Sequence, residues 1–322
     1  RDITVRKQAE EALWENEAKY KVLFESVSDA IFIYDPETFE ILHANEATSK
    51  LYGYDENELI GLSCLKFSAE VDQSKTIASQ ITKDGQATVL SRHHKKKDGS
   101  DLYVQLTGYK VIVNGHDVMF TVCRDITERK QIEDTLLFLL ESGYSEENFF
   151  QSLARYLATS LDMDYVCIDR LSGDQLSAQT VAVYFDGNFD DNVEYSLKDT
   201  PCGDVVGKNI CVFPNQVRHL FPQDVVLQEM LAESYIGTTL WDTEGQPIGL
   251  IAIISRKPLK NSSLAKSVLN LVSMRAAGEL GRKQTEEELI YLSTHDVLTG
   301  LYNRTFFVEE MARLERGRGF PV

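Results

Sequence analysis

The sequence predicts an α+β protein of two modules, each a central antiparallel sheet flanked by helices, joined by long connector helices. Three observations carry that reading. The chain has 322 residues, which at roughly 150 residues per domain suggests about two domains. Residues 29–124 order themselves as two strands, then helices, then three strands; residues 136–281 again place strands between bracketing helices. A charged helical segment also recurs, as RDITVRKQAEEAL at 1–13, RDITERKQIEDTL at 124–136 and the partial copy RKQTEEEL at 282–289. An internal repeat marks a repeated architecture. These copies are rich in helix formers, with Leu at a constant register, and read as amphipathic connectors placed after modules.

Asp29-Ala30-Ile31-Phe32-Ile33-Tyr34-Asp35 is an apolar run bounded by acids and reads as the first strand. Phe39 to His43 is its hairpin partner across a turn at Asp35-Pro36. Short helices follow at Asn45 to Leu51 and Glu56 to Ile60, the second stopped by Gly61, and a longer one at Ala69 to Lys83 ends at Asp84-Gly85. Three strands come next, Gln86 to Lys96, Asp101 to Val113 and His116 to Arg124. Asp98-Gly99 and Asn114-Gly115 between them are strong hairpin signals, because the turn type they favour needs positive φ. This order predicts an antiparallel sheet with helices on one face.

The second module begins with a helix at Glu146 to Leu161. Strands are predicted at Tyr165 to Leu171, Gln175 to Tyr184, Glu194 to Ser196, Tyr235 to Asp242 and Pro247 to Ser255, the last two joined by Thr243-Glu244-Gly245-Gln246. A closing helix, Ser263 to Leu280, leads into the third connector.

Acids outnumber bases, 50 against 33, giving a formal charge of −17. That excludes a general nucleic-acid-binding surface, which needs a basic face; the basic run His93-His94-Lys95-Lys96-Lys97 reads as a solvated strand end. The longest strongly apolar stretch, Ile248 to Ile254, is far short of the roughly 18–20 residues of a membrane span. No apolar signal segment follows Arg1, and the chain does not open with Met, so a piece of a longer protein is expected. Five cysteines, Cys64, Cys123, Cys167, Cys202 and Cys211, form no C-x-x-C and are odd in number. A disulfide framework or zinc cluster is not expected, and a reducing cytoplasm is the natural compartment.

Specific resemblances build on these elements. Ser28-Asp29-Ala30-Ile31, Ala44-Asn45-Glu46-Ala47, Leu51-Tyr52-Gly53-Tyr54, Glu58-Leu59-Ile60-Gly61, Lys96-Lys97-Asp98-Gly99-Ser100 and Arg124-Asp125-Ile126-Thr127 stand in the order of a PAS domain, which residues 20–127 resemble. Asp199-Thr200-Pro201-Cys202-Gly203-Asp204-Val205, Leu220-Phe221-Pro222, Ala232-Glu233-Ser234-Tyr235-Ile236-Gly237 and Gly249-Leu250-Ile251-Ala252 make residues 136–281 resemble a GAF domain. Asp296-Val297-Leu298-Thr299-Gly300-Leu301-Tyr302-Asn303-Arg304 is similar to the opening of a diguanylate cyclase (GGDEF) domain. The expected organisation is a connector helix at 1–19, the PAS-like domain, a connector at 128–135, the GAF-like domain, a signalling helix at 282–295, and the start of a GGDEF domain at 296–322. The Gly-Gly-Asp/Glu-Glu-Phe signature is absent, so this segment is expected to be catalytically inert.

The resemblance implies that an intact parent joins two GTP into cyclic di-GMP with magnesium, and that parallel stalks at 1–25, 126–142 and 264–295 make a homodimer. It implies signal coupling through Asp125, Thr127, Asp296, Thr299, Gly300, Asn303 and Arg304. At the sheet-to-helix junction Thr127 can cap the outgoing helix by accepting backbone N–H bonds, and Asp125 can hold the neighbouring chain through its carboxylate. A small-molecule ligand of either module would meet Ile31, Ile33, Asn45 and Tyr52 in the first, or Tyr184, Tyr235 and Trp241 in the second. Core packing explains those residues equally well. Alternatives are a ligand-free dimerisation scaffold and a cyclase that also carries a phosphodiesterase domain.

Four tempting sites have plainer readings. Ser293-Thr294-His295-Asp296 lacks the basic residue, Thr and Pro that continue a histidine-kinase phospho-acceptor box. Cys64 follows Gly61-Leu62-Ser63 without the polar continuation of a flavin-binding light sensor, and packs as a small hydrophobe. His43 is a lone histidine on a strand, whereas haem ligation in PAS domains usually comes from the long helix. Cys202 is followed by Gly203 rather than by the His common at bilin-bearing cysteines. No cofactor is therefore assigned, and haem, flavin and bilin are set aside.

Overall fold

The computed structural model describes residues 14–16, 18–113, 115–141 and 148–317, with side chains to 314. The first connector copy at 1–13 lies outside the described residues. The chain divides into two compact units, residues 1–131 and 132–322.

The first unit opens with helix α1 (residues 14–16 and 18–26). Strands β1 (Ala30–Tyr34) and β2 (Ile41–Ala44) follow, then helices α2 (Glu46–Tyr52) and α3 (Glu56–Leu59), a 3₁₀ turn at Cys64–Phe67 and helix α4 (Val71–Asp84). Strands β3 (Gln86–Lys95), β4 (Asp101–Val113) and β5 (His116–Asp125) complete an antiparallel sheet of order β2-β1-β5-β4-β3. The hairpin partner of β1 starts two residues later than predicted, because Phe39 adopts φ of 63° and bonds back to the Asp35 carbonyl. One sheet face carries the core. Phe32, Tyr34, Leu102, Val104, Met119 and Cys123 pack there against Tyr52, Leu59, Phe67 and Ile81 of the helical segments.

Helix α5 (Thr127–Glu141) runs unbroken through the expected connector and beyond it. In the second unit Thr135 of α5 meets the Tyr156 hydroxyl at 2.8 Å and Phe138 stacks on the Tyr156 ring. Tyr156 belongs to helix α6 (Phe149–Ser160). Strands β6 (Tyr165–Leu171), β7 (Ser177–Phe185), β8 (Asn188–Asp190) and β9 (Glu194–Ser196) come next, then α7 (Pro201–Val205), β10 (Ile210–Phe213), α8 (Val217–Leu220) and α9 (Val225–Glu229). Strands β11 (Ser234–Trp241) and β12 (Pro247–Ser255) lead to helix α10 (Ser262–Thr294) and helix α11 (Arg304–Gly317). The sheet order is β10-β11-β12-β6-β7-β8, with β9 paired to β7.

This sheet is covered on both faces. On one, α6 and the first half of α10 bury Leu153, Leu157, Val268 and Val272 against Ile168, Ile236 and Ile253. On the other, loops and short helices bury Val205, Leu227 and Met230 against Cys167, Tyr235, Leu250 and Ala252. Double-sided burial explains why Ile248 to Ile254 reads as an unbroken apolar run. The closing helix runs on through the third connector, as the stalk expected over 264–295 does: α10 is one helix of 33 residues.

Candidate functional site

Successive residues of a strand point to opposite faces. In β1, Phe32 and Tyr34 face the helix-covered core, and Ile31 and Ile33 lie on the other face. The two isoleucines expected in a pocket are therefore excluded from it; the apolar run gave the strand but not its phase. The core cavity has a volume of about 40 Å³, and Phe32, Tyr34, Arg92, His94 and Thr121 are among its lining residues. A water's share of liquid volume is about 30 Å³, whereas ligand pockets measure about 300–1,000 Å³.

The core beside this cavity is filled and hydrogen-bonded. Tyr52 is buried, stacks on Phe67 at 3.9 Å between ring centroids, and places its hydroxyl 2.8 Å from His94 Nδ1. The buried Arg92 guanidinium donates to Glu70, Gln73 and Ser74. Burial, with Arg92 and His93 nearby, holds His94 down to about 4. Asn45, expected at a pocket, is a structural knot. Its side-chain oxygen accepts from Ile31 N, Thr48 N and Thr48 Oγ1, and its amide donates to the carbonyls of Phe24, Val27 and Asp29.

At the β5–α5 junction the two expected roles are exchanged. Asp125, not Thr127, caps the helix: its Oδ1 accepts the Thr127 N–H at 2.8 Å. Thr127 ties the helix start to β4, its Oγ1 accepting the Tyr103 N–H at 3.0 Å. The exchange follows from geometry, since an Asx side chain reaches the N–H two residues on. Arg124 and Asp29 close the strand ends with a two-pronged ion pair.

In the second unit only Tyr235 of the three expected aromatics reaches the loop-side core, where its hydroxyl donates to Cys202 Sγ at 3.3 Å. Tyr184 packs on the helix side. Trp241 ends β11 opposite Pro247 and belongs to neither core. The residue that sequence reasoning missed is Asp169. It is fully buried, accepts from Cys167 Sγ at 2.6 Å and from the Tyr195 hydroxyl at 2.9 Å, and burial outweighs those bonds to push its carboxyl up to about 6. The signal was there: an acid on the inward phase of YVCIDRL, in register with Cys167.

A cleft of about 690 Å³ opens beside this core. Its walls include Gln175, Lys198, Asp199, Thr200, Asp204 and Phe221. Most of these stand in the segments that carried the GAF resemblance, so the motif, rather than the aromatics, marks the cavity. Thr200 caps α7 by accepting the Gly203 N–H, with Pro201 at the first turn, an order that pre-sets a helix start.

Two of the buried titratable groups, His94 and Asp169, predict opposite pH responses. His94 is held below its ordinary value, so its contribution is present above pH 6.5 and is lost as pH falls through about 4. Asp169 is raised, so its contribution is present below pH 3.8 and is lost as pH rises through about 6. Each amounts to on the order of 3 kcal/mol. Urea denaturation of the chain with His94→Asn and with Asp169→Asn, between pH 4 and 7, is expected to show differences from wild type of opposite slope. Parallel curves would refute the assignment.

The Asp296–Arg304 motif forms a compact knuckle between α10 and α11. Asp296 Oδ1 accepts from Thr299 N and Oγ1 at 3.0 and 2.7 Å, which holds its carboxyl below the usual range. Gly300 turns the chain at φ of 69°, and its N–H reaches the Asp296 carbonyl. Asn303 works in both directions. It donates from Nδ2 to the Ser293 carbonyl of α10 at 2.8 Å and accepts the Phe306 N–H of α11 at 2.9 Å. Arg304 is exposed at the first position of α11. His295 stacks on Tyr291 and lies tilted against Tyr302, which stacks on Phe306 in turn.

All five cysteines are free thiols. Among the described residues no group of three His, Cys, Asp or Glu side chains could hold a metal, and no helix is long and apolar enough to cross a membrane.

Comparison with known proteins agrees with the two folds. The PAS domain model matches residues 28–128 and the GAF domain model residues 145–280. The chain is 25% identical over 131 residues to a methyl sulfide methyltransferase-associated sensor of Methanosarcina acetivorans, covering 39% of this chain and 13% of that protein. It is 29% identical over 134 residues to the sensor histidine kinase TmoS of Ectopseudomonas mendocina, covering 40% of this chain and 14% of that protein. It thus spans about one seventh of the length of either relative. Among solved structures, the PAS domain of an HTR-like protein from Haloarcula marismortui is 26% identical, with 37% of this chain and 99% of that chain covered and a TM-score of 0.35. The chain therefore carries two sensory modules in tandem, a PAS domain over residues 28–128 and a GAF domain over residues 145–280.

Proposed function

We propose that this PAS–GAF pair is the input region of a cytoplasmic diguanylate cyclase. The observation that carries the reading is the Asp296–Arg304 knuckle, in which Asp296, Thr299, Gly300 and Asn303 of the cyclase-like motif close the turn between α10 and α11. GTP and magnesium would be held by the catalytic part of that domain, whose signature this chain does not contain; no residue here is assigned to them. The described part of the chain supplies transmission. Asp125 and Thr127 fasten the PAS sheet to α5, and Asn303 fastens α10 to α11.

Transmission is proposed to run through a homodimer of parallel helices. Leu136, Leu137 and Leu140 of α5 and Leu289, Ile290 and Leu292 of α10 are exposed, and packed helices tend to have discrete arrangements that a small rotation can exchange. Light scattering is expected to find a dimer at micromolar concentration; a monomer would count heavily against this route.

The decisive experiment expresses the whole open reading frame that encodes this chain and supplies GTP with magnesium. Cyclic di-GMP in the product mixture supports the reading. Autophosphorylation by ATP without cyclic di-GMP would instead place these modules in a sensor kinase, the kind of protein that TmoS is named as. For the PAS domain, the cavity of about 40 Å³ favours the ligand-free scaffold over a haem- or flavin-bearing sensor, which an absorbance spectrum of the purified chain tests.

A further inference from the structure

The GAF sheet carries a second cavity, on its helix-covered side rather than beside the loops. It measures about 200 Å³ and lies where α10 leaves the sheet. Leu280 is the last α10 residue buried against the sheet. Beyond it Lys283, Gln284 and Glu287 form one wall, facing Arg170 of β6 and Gln179 of β7. Arg170 donates to Glu287 Oε2 at 2.7 Å and to Gln179 Oε1 at 2.9 Å. Lys283 has no ion-pair partner among the described residues.

We propose that this helix-exit cavity binds a small oxyanion, a ligand presenting one carboxylate or phosphate group to Arg170 and Lys283 in place of Glu287. The chemistry is a like-for-like exchange. A guanidinium fork matches the two oxygens of a carboxylate or phosphate, and a neighbouring ammonium adds a point charge. The oxygen now on Arg170 belongs to a half-exposed glutamate, and such ion pairs are held weakly in water. The volume suits an ion of the size of phosphate or a short dicarboxylate and is below the range of nucleotide-sized pockets. Occupancy separates Glu287 from Arg170, and so loosens the tie between the GAF sheet and the helix that leaves it. Binding does not depend on which output domain follows.

Thermal unfolding and calorimetry of the chain test this with sodium phosphate and sodium succinate against sodium chloride at equal ionic strength. At saturation an oxyanion is expected to raise Tm by about 2–4 °C. Lys283→Ala should weaken binding about tenfold through loss of a charge-assisted contact, and Glu287→Gln should tighten it several-fold by removing the internal competitor. A response to phosphate alone identifies a phosphate-bearing ligand, and one to succinate alone a dicarboxylate. Absence of any shift relative to chloride, or affinities equal in wild type, Lys283→Ala and Glu287→Gln, would overturn the proposal.

Discussion

Asn45→Ala is expected to destabilise the PAS domain by about 3–4 kcal/mol. The side chain is fully buried and holds three separate stretches of chain: the end of α1 and the turn after it through Phe24, Val27 and Asp29, strand β1 through Ile31, and the first turn of α2 through Thr48. Alanine leaves the Ile31 N–H and several carbonyls without their partner, while the Thr48 N–H keeps only the Asn45 main-chain carbonyl, and each buried orphan costs about 1–3 kcal/mol. Relaxation and water entry recover part of that sum. Asn45→Asp separates this account from a simple packing loss. It keeps the volume and the acceptor but sets a carboxylate against three carbonyl oxygens, so it should be as damaging at neutral pH and recover as the pH is lowered. Chemical denaturation curves across that range check both. A loss below about 1 kcal/mol for either variant at pH 7 would show that the knot is not needed.

Gly249→Ala is expected to cost the GAF domain about 3 kcal/mol, at the upper end for overpacking by one methyl group. A Cβ at this position would lie 2.4 Å from the Asp169 carbonyl oxygen and 2.6 Å from Leu280 Cδ2. The first neighbour is backbone in the adjoining strand and cannot yield cheaply. The second is the last α10 residue buried against the sheet. A double-mutant cycle with Leu280→Ala apportions the two: removing the leucine should relieve part of the strain and leave the backbone clash. Hydrogen exchange should rise in α10 around Leu280 in the single variant. Full additivity of the two substitutions would refute a shared contact.

Much of the fold was legible because its signals are local. Turn glycines, strand alternation and the fixed order of short motifs placed the PAS strands, and Pro247 to Ser255 matches β12 end to end. The misses concern information that neighbours in sequence do not carry. The phase of β1 depends on which face the helices cover, so Ile31 and Ile33 could not be told from Phe32 and Tyr34 as the residues beside the cavity. Asn45 looked like a pocket residue because its six partners are drawn from segments up to 21 residues away. Strands β8 and β10 are short edge pieces set by pairing with β7 and β11 rather than by their own composition.

The uninterrupted length of α10 makes it a lever arm. At 1.5 Å rise per residue, the stretch from Gly281 to Thr294 extends about 20 Å past the Leu280 fulcrum. Tilting it by about 5° at that point sweeps the far end through about 2 Å, the scale of helix shifts seen in allosteric interfaces. A change at the sheet too slight to alter the domain's packing would therefore arrive enlarged at the knuckle.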